Sequence, residues 1–424
     1  MITSAPKGTR DILPGESRKW QWMEACMRDV CTAFGYREIR IPTFEHTELF
    51  LRSVGSTTDI VQKEMYTFED KGGRSITLKP EGTAGVARAF VEHSLYNETL
   101  PLKMYYLYNP TFRYERPQAG RLREHHQFGV EVFGAAASTM DAEVILLAVS
   151  VLRRLGLGTL EVNLNSIGCP SCRPAYHTKL KAYFAQHVDK LCPTCADRLE
   201  RNPLRILDCK DKGCHALVEG APRTLDNLCD DCAEHFTSLK KLLDDAGVRY
   251  VINPLLVRGL DYYNRTVFEI VSPDIGAQSS VAGGGRYDGL IEEVGGPATA
   301  GIGFGMGMER LLMALEAQKL LPTDLEPRPV YVASMGDAAR AEAFRLALRL
   351  RERGVTAECD HLNRSFKAQF KHADKLSSRF VVVLGDNELA SGMWKVKDLT
   401  NGTESTVPKD DIVETLIHQK QGEA

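Results

Sequence analysis

No run of about 18 apolar residues occurs in the 424-residue chain, so no stretch reads as a membrane-crossing helix. The opening Met1-Ile-Thr-Ser has neither the basic start nor the apolar middle of a secretory signal, and a cytoplasmic protein with no membrane partner is expected. Surplus charge is missing as well. At a formal net charge of −3 the chain cannot attract a polyanion by its overall field, and a nucleic-acid partner would have to be met by local basic patches. The dinucleotide fingerprint is lacking: between Gly301 and Met308 the pattern G-x-G-x-x-G would need glycine at Met306 or Met308. Cysteine is scarce outside one region, since eight of the 11 fall between Cys169 and Cys232. In a reducing compartment that concentration suggests metal before disulfide. Length excludes a single core and predicts two or three domains.

The most informative stretch that is present runs from Tyr108 to Gly134 and reads as two strands joined by a basic tip. On the return strand Phe128, Val130 and Val132 alternate with Gln127, Gly129 and Glu131, so one face packs and the other presents polar groups. Gln127 and Glu131 stand roughly 13 Å apart at ~3.3 Å per residue, and Gly129 between them leaves room for a ligand against the backbone. Arg113, on the outgoing strand, faces the same floor in this reading, and its guanidinium fork suits phosphate or carboxylate. A merely solvated sheet face would share the alternation but not this convergence of donors and acceptors. The period-two glycines from Gly301 to Gly307 likewise predict a strand with one bare face, along which an adenosine can lie. Arg310, on the helix that follows, either meets that ligand or forms a structural salt bridge.

Elsewhere, Trp20, Met23, Met27, Val30 and Phe34 recur at helical spacing up to Gly35, a core-facing stripe. Tyr36 to Phe44 reads as a strand, and Pro42 puts it at a sheet edge because proline cannot donate to a ladder. Glu81-Gly82-Thr83 precedes a helix from about Ala84. Thr83 suits an N-cap, while a carboxylate and a hydroxyl beside a small residue also suit an ammonium group. A helix from Met140 to Leu155 and a strand from Leu160 follow. From Gly168 to about Leu243 the chain is mostly helical, with polar stretches and cysteine pairs. Tyr262 and Tyr263 read as straddling a strand, which would send one ring to the core. Beyond the linker Leu321 to Pro329, strands and helices alternate from Val330 to Lys397 as in a small α/β domain with a largely parallel sheet. There Lys367, Lys371 and Lys375 line a helix face that reads as solvated.

Phe112-Arg-Tyr-Glu115, followed by a loop and a second strand, resembles the second signature motif of the class II aminoacyl-tRNA synthetases, and Gly307-Met-Glu-Arg310 resembles their third. Arg116-Pro-Gln118, His126-Gln127, Glu131-Val-Phe-Gly134 and above all Arg258-Gly-Leu-Asp-Tyr-Tyr263 are similar to the histidyl-tRNA synthetases in particular, across residues 6 to 167 and 245 to 424. The resemblance implies an α+β fold. A class II antiparallel-sheet catalytic domain with helices would occupy 1–167 and 245–322, a mostly helical, cysteine-rich insertion 168–244, and an α/β anticodon-binding domain 328–424. It implies ligation of L-histidine to histidine tRNA with ATP and Mg2+, through histidyl adenylate, by a homodimer meeting at the edge-strand segment. Arg113 and Arg258 are then the catalytic residues, gripping the α-phosphate and the substrate carboxylate. Histidine itself falls to Glu81, Gly82, Thr83, Gln127, Glu131, Tyr262 and Tyr263 together with both arginines. Of these, Glu131 and Tyr263 would meet the imidazole, whose one N–H donor and one acceptor nitrogen a carboxylate plus a phenol can satisfy. ATP falls to Arg113, Arg121, His125 and Arg310, and the tRNA to Arg116, Gln118 and Arg123. Position 125 departs from the family, which more often has an adenine-stacking phenylalanine there; imidazole can stack as well. Two other classes compete: a synthetase-like regulatory subunit that binds histidine without charging tRNA, against which the Arg258 to Tyr263 segment and a full C-terminal domain argue, and a nucleic-acid scaffold with a dead site, against which the presence of Glu81, Arg113, Glu131 and Arg310 argues.

Cys169-Pro-Ser-Cys172 and Cys192-Pro-Thr-Cys195 are separated by 19 residues, inside the C-x₂-C-x₁₅₋₂₀-C-x₂-C range of tetrahedral sites. Cys209, Cys214 and the pair Cys229 and Cys232 form a second such set, and mixtures between the two groups fit as well. Structural zinc, stabilising a small domain without a large core, is the expectation, with disulfides or unrelated buried thiols as the alternative.

Overall fold

The computed structural model describes residues 3–55, 58–118, 120, 122–209, 211–272 and 280–421, which divide into two compact units at the boundary between Pro322 and Thr323. In the first unit the helix Pro14–Ala33 gathers Trp20, Met23, Met27 and Cys31 on one buried stripe and gives way to Gly35, whose φ of 78° disfavours any residue with a Cβ. That stripe shares a core with Phe128, Val130 and Val132 of the strand Glu124–Phe133 and with the helix Ser138–Arg154. Among the described residues eight strands form the central sheet, in the order Arg37–Glu38, Leu102–Phe112, Glu124–Phe133, Gly301–Gly307, Ser280–Arg286, Asn264–Val271, Glu161–Ser166, Tyr250–Ile252. The inner pairs are antiparallel and the outermost pair at each end is parallel. One face packs on the helices just named. The other meets the helix Thr83–Glu92 through Val86, Ala87 and Phe90 and leaves its glycine-rich middle open as a cleft.

Two local expectations are corrected. Tyr36 to Phe44 is not one strand: Arg37–Glu38 pairs at the sheet edge with Leu102–Phe112, whereas Phe44–His46 joins Ser75–Leu78 and Tyr66–Glu69 in a separate three-stranded sheet. Pro42 lies between them and offers no N–H to either ladder, so the run breaks there. Tyr262 and Tyr263 do not straddle a strand, because the ladder begins at Asn264, and both rings are buried.

Between Ser166 and Tyr250 the chain leaves and rejoins the sheet through the helices Arg173–Ala185, Pro193–Arg201, Lys212–Val218 and Asp230–Asp245. Glu161–Ser166 and Tyr250–Ile252 run parallel, so the last helix must travel back along the sheet, and its N-terminal end lies beside the end of the first of these strands.

The second unit is built on a sheet ordered Ala357–Cys359, Val330–Ser334, Phe380–Leu384, Met393–Asp398, Glu404–Pro408. Its first three strands are parallel, with the helices Asp337–Glu352 and Phe366–Lys375 as crossovers, and the last two are antiparallel. Lys367, Lys371 and Lys375 are exposed. The strand Glu404–Pro408 and the helix Ile412–Gln421 lie beyond the sequence reading.

Candidate active site

Register places three glycines in one row across the open face. Gly129 pairs with Gly305, and Gly305 with Gly283. Tyr106 flanks the row on one side and Glu269 on the other. A Cβ on Gly129 would stand 2.4 Å from the Tyr106 ring, which leaves no room for a larger residue, and one on Gly283 would stand 2.5 Å from the Arg258 guanidinium and push it aside. Above the row lies a cleft of about 380 Å³ lined by Arg113, His125, Gln127, Arg258, Glu269 and Arg310 among others. Of the bare face expected of Gly301 to Gly307, Gly305 and Gly307 line the cleft, whereas Gly301 and Gly303 lie under Tyr287 and Glu131.

Three arginines enter that cleft from different elements. Arg113 sits just past the strand Leu102–Phe112, its Nε donating to the Pro80 carbonyl at 2.9 Å. Arg258 comes from the loop before Asn264; Nη1 lies 3.6 Å from Glu269 Oε1, and the buried Nε has no hydrogen-bond partner among the described residues. Arg310 leaves the first turn of the helix Met308–Ala317 and donates from Nη1 to the Ser280 carbonyl at 3.1 Å. The neighbouring Glu309, to which the sequence reading gave no role, accepts from the His126 backbone at 3.0 Å and meets His126 Nδ1 at 2.7 Å, fixing that helix end to the central strand.

Next to the cleft is a buried polar nest. Glu131 accepts from Thr83 Oγ1 at 2.7 Å, from the Tyr106 hydroxyl at 3.2 Å and from the Tyr287 hydroxyl. Burial pushes its carboxyl up to about 8, against the pull of the Tyr287 and Thr83 hydroxyls and with the Glu81 charge adding to the rise. Glu81 accepts from the backbone N–H groups of Thr83 and Ala84 at 2.8 Å each and from the Tyr262 hydroxyl at 3.4 Å. Its carboxyl too is raised by burial, with those two N–H groups opposing. The rings of Tyr262 and Tyr263 lie 5.5 and 6.2 Å from that of Tyr287. Gly82 must be bare here as well, since a Cβ would come within 2.6 Å of the Tyr106 ring. The structure thus brings Glu81, Gly82, Thr83, Glu131, Tyr262 and Tyr263 together, and adds Tyr106 and Tyr287. Tyr287 stands two residues past Gly285, the last of the glycine run; Tyr106 is one of two adjacent tyrosines on its strand, and only cross-strand register distinguishes it from Tyr105.

At the hairpin tip Arg116 and Gln118 are exposed. Arg123 is half-buried: its guanidinium lies 4.1 Å over the Tyr114 ring, and its Nε donates to the Glu115 carbonyl at 3.1 Å. Arg121 lies outside the described residues.

The family profile for Histidyl-tRNA synthetase matches residues 8–171 and 185–311. The chain belongs to the histidyl-tRNA synthetase family. A second profile, Anticodon binding domain, matches residues 329–419. Among relatives, the histidine–tRNA ligases of Caldanaerobacter subterraneus and Thermoanaerobacter pseudethanolicus are 55% and 54% identical over 416 residues, covering 98% of this chain and 100% and 99% of theirs. The crystal structure of apo Staphylococcus aureus histidyl-tRNA synthetase matches with a TM-score of 0.84 at 38% identity, over 98% of this chain and 99% of that one.

In this histidyl-tRNA synthetase family member the eight clustered cysteines form two groups, but not those of chain order. Cys169 and Cys172 meet Cys229 and Cys232, while Cys192 and Cys195 meet Cys209 and Cys214. Spacing alone had suggested Cys169 to Cys195 as one set. The returning helix Asp230–Asp245 explains the difference, because it brings Cys229 and Cys232 back to the end of the strand that precedes Cys169.

Proposed function

We propose that the chain ligates L-histidine to its cognate tRNA, with ATP and Mg2+ consumed through a histidyl-adenylate intermediate. Carrying this reading is one juxtaposition: a buried carboxylate and phenol nest opens beside a glycine floor onto which two arginines, Arg113 and Arg258, converge. An imidazole requires one acceptor and one donor, and Glu131 with Tyr263 supplies both. The α-ammonium falls to Glu81 and Thr83, with Gln127 at the mouth of the cleft. In the first step the histidine carboxylate attacks the α-phosphorus in line, the bond to the bridging oxygen breaks, and pyrophosphate leaves with the electron pair. Arg113 and Arg258 hold the phosphate and the carboxylate and offset the charge that builds there. Adenine lies along Gly303 to Gly307 with Arg310 on the triphosphate and His125 stacking on the base. Arg121 is assigned to ATP on family resemblance alone. The carboxylates of Glu115 and Glu269 at the cleft would offer oxygen donors to the Mg2+ that accompanies ATP, and the ion would offset charge on the phosphates. The terminal adenosine of the tRNA then takes the histidyl group, displacing AMP.

Arg116 and Gln118 at the tip, with Arg123 beside them, are assigned to the tRNA acceptor end, and the helical segment 168–244 to the tRNA body. Residues 328–424 would read the anticodon, while 1–167 and 245–322 perform the chemistry. A cytoplasmic homodimer through the segment 36–44 is the assembly we favour. Its exposed edge strand Arg37–Glu38 borders a groove of about 530 Å³ lined by Gln21, Glu24 and Arg28 of the first long helix, a surface suited to a second copy. Charging of a histidine-specific tRNA transcript with labelled histidine tests the reading. Transfer that requires ATP and fails with other amino acids is expected, and charging that ignores the amino acid offered would refute it.

A further inference from the structure

In each cysteine group the four Sγ atoms lie within 4.8 Å of one another, and all eight are free thiols. Cys169 Sγ is 3.7 Å from both Cys172 Sγ and Cys229 Sγ; Cys172 Sγ is 3.9 Å from Cys232 Sγ, and Cys192 Sγ 3.9 Å from Cys209 Sγ. A tetrahedron of sulfurs around zinc, at ~2.3 Å each, has edges of about 3.8 Å. Backbone N–H groups already point at the sulfurs, Cys169 N at Cys172 Sγ over 3.1 Å and Cys192 N at Cys214 Sγ over 3.2 Å, the kind of donor that supports a metal-bound thiolate. Each group is purely sulfur, which selects a soft or borderline ion, and four thiolates in a closed tetrahedral set are the donors of structural zinc.

The groups are nested. The outer one joins the two roots of the helical segment: Cys169 follows Gly168, which is tied to the sheet by the Arg265 N–H at 2.9 Å, and Cys229 and Cys232 open the helix that returns to it. Inside that closed loop the second group binds the helix Pro193–Arg201 to the helix Lys212–Val218. From the stretch so held, three side chains reach behind the cleft. Arg198 pairs with Asp59 at 3.1 Å, Asn202 donates to Asp261 Oδ1 at 3.1 Å, and Arg205 donates to the Arg258 carbonyl at 2.9 Å. Two of the three contacts land on the loop that carries Arg258, Tyr262 and Tyr263.

We propose that the chain holds two zinc ions in nested tetrathiolate sites, and that the inner ion positions the Arg258 to Tyr263 loop through Asn202 and Arg205. The outer ion closes the segment as a clasp, beside Arg173, which follows Cys172 and donates to the Tyr263 carbonyl. Positioning by the inner ion rests on the assignment of that loop to histidine; the metal sites do not.

Full-length protein purified without added metal is expected to contain two zinc ions per chain, each surrounded by four sulfurs at about 2.3 Å in X-ray absorption. Cys209→Ser and Cys229→Ser should each lose one ion and keep the other. Cys209→Ser should raise the KM for histidine by about tenfold, with the KM for ATP little changed. Zinc below about a tenth of an equivalent in the wild type, with all eight thiols open to a thiol reagent, overturns the sites. Loss of the inner ion in Cys209→Ser with an unchanged histidine KM overturns the positioning role. Because the wild-type metal count needs neither a variant nor an activity assay, it stands or falls apart from the histidine reading.

Discussion

A carboxyl group with an ordinary value of 4.5 is held at about 8 in Glu131, first by burial. The folded chain keeps a proton there that the unfolded chain releases. The resulting stability is present in full below about pH 4.5, is lost progressively as the pH rises, and is gone above about pH 8. Glu131→Gln keeps the shape without the titration, so its thermal midpoint should fall less steeply than that of the wild type between about pH 5 and 8. Parallel curves would show that Glu131 does not carry the shift. Glu131→Ala instead strands the hydroxyls of Thr83, Tyr106 and Tyr287, and sites that hydrogen-bond a substrate lose up to ~10⁴–10⁵ in discrimination when such pairing fails. Adenylate formation at ordinary histidine concentrations should nearly vanish; wild-type rates would remove Glu131 from the pocket. Of this nest, Glu81, Thr83, Glu131 and the two tyrosines at 262 and 263 were legible as residue types in motifs. Tyr106 was not, since nothing along the chain says that its ring lies over Gly129 and Gly82.

At the scale of elements the hairpin separates two tasks. The glycine floor and Arg113 sit at its base, and Arg116 and Gln118 are exposed at its tip. Arg116→Ala with Gln118→Ala should therefore lower tRNA charging by about tenfold, a phosphate or base contact each, while leaving pyrophosphate exchange unchanged. Equal damage to both reactions would place the tip inside the active site. Arg123 is a poorer probe, because its guanidinium packs on Tyr114 and its loss would disturb the hairpin itself. Alternation along Glu124–Phe133 and the period-two glycines made these strands readable, as did the helical stripe from Trp20. What escaped was whatever depends on return paths. The cysteine pairing follows from two parallel strands forcing the last helix of the segment to run backwards, and the break of the Tyr36 to Phe44 run follows from two different sheets competing for its ends.

For the whole molecule, the boundary at Pro322 separates a sheet built around a cleft from an α/β unit matching anticodon-binding domains. The Pro-rich linker and the change of period made that division legible, whereas the place of the segment 168–244 within the first unit depends on packing. In the proposed reading activation of histidine belongs to the first unit alone, so it should proceed without tRNA. Histidine-dependent exchange of labelled pyrophosphate into ATP measures that step. The wild type is expected to exchange only when L-histidine is present. Arg258→Ala should lose about 10²–10³-fold in kcat, the equivalent of ~2.7–4 kcal/mol for one donor to a developing charge. Exchange that is absent in the wild type, or that proceeds equally without histidine, would contradict the account at its centre.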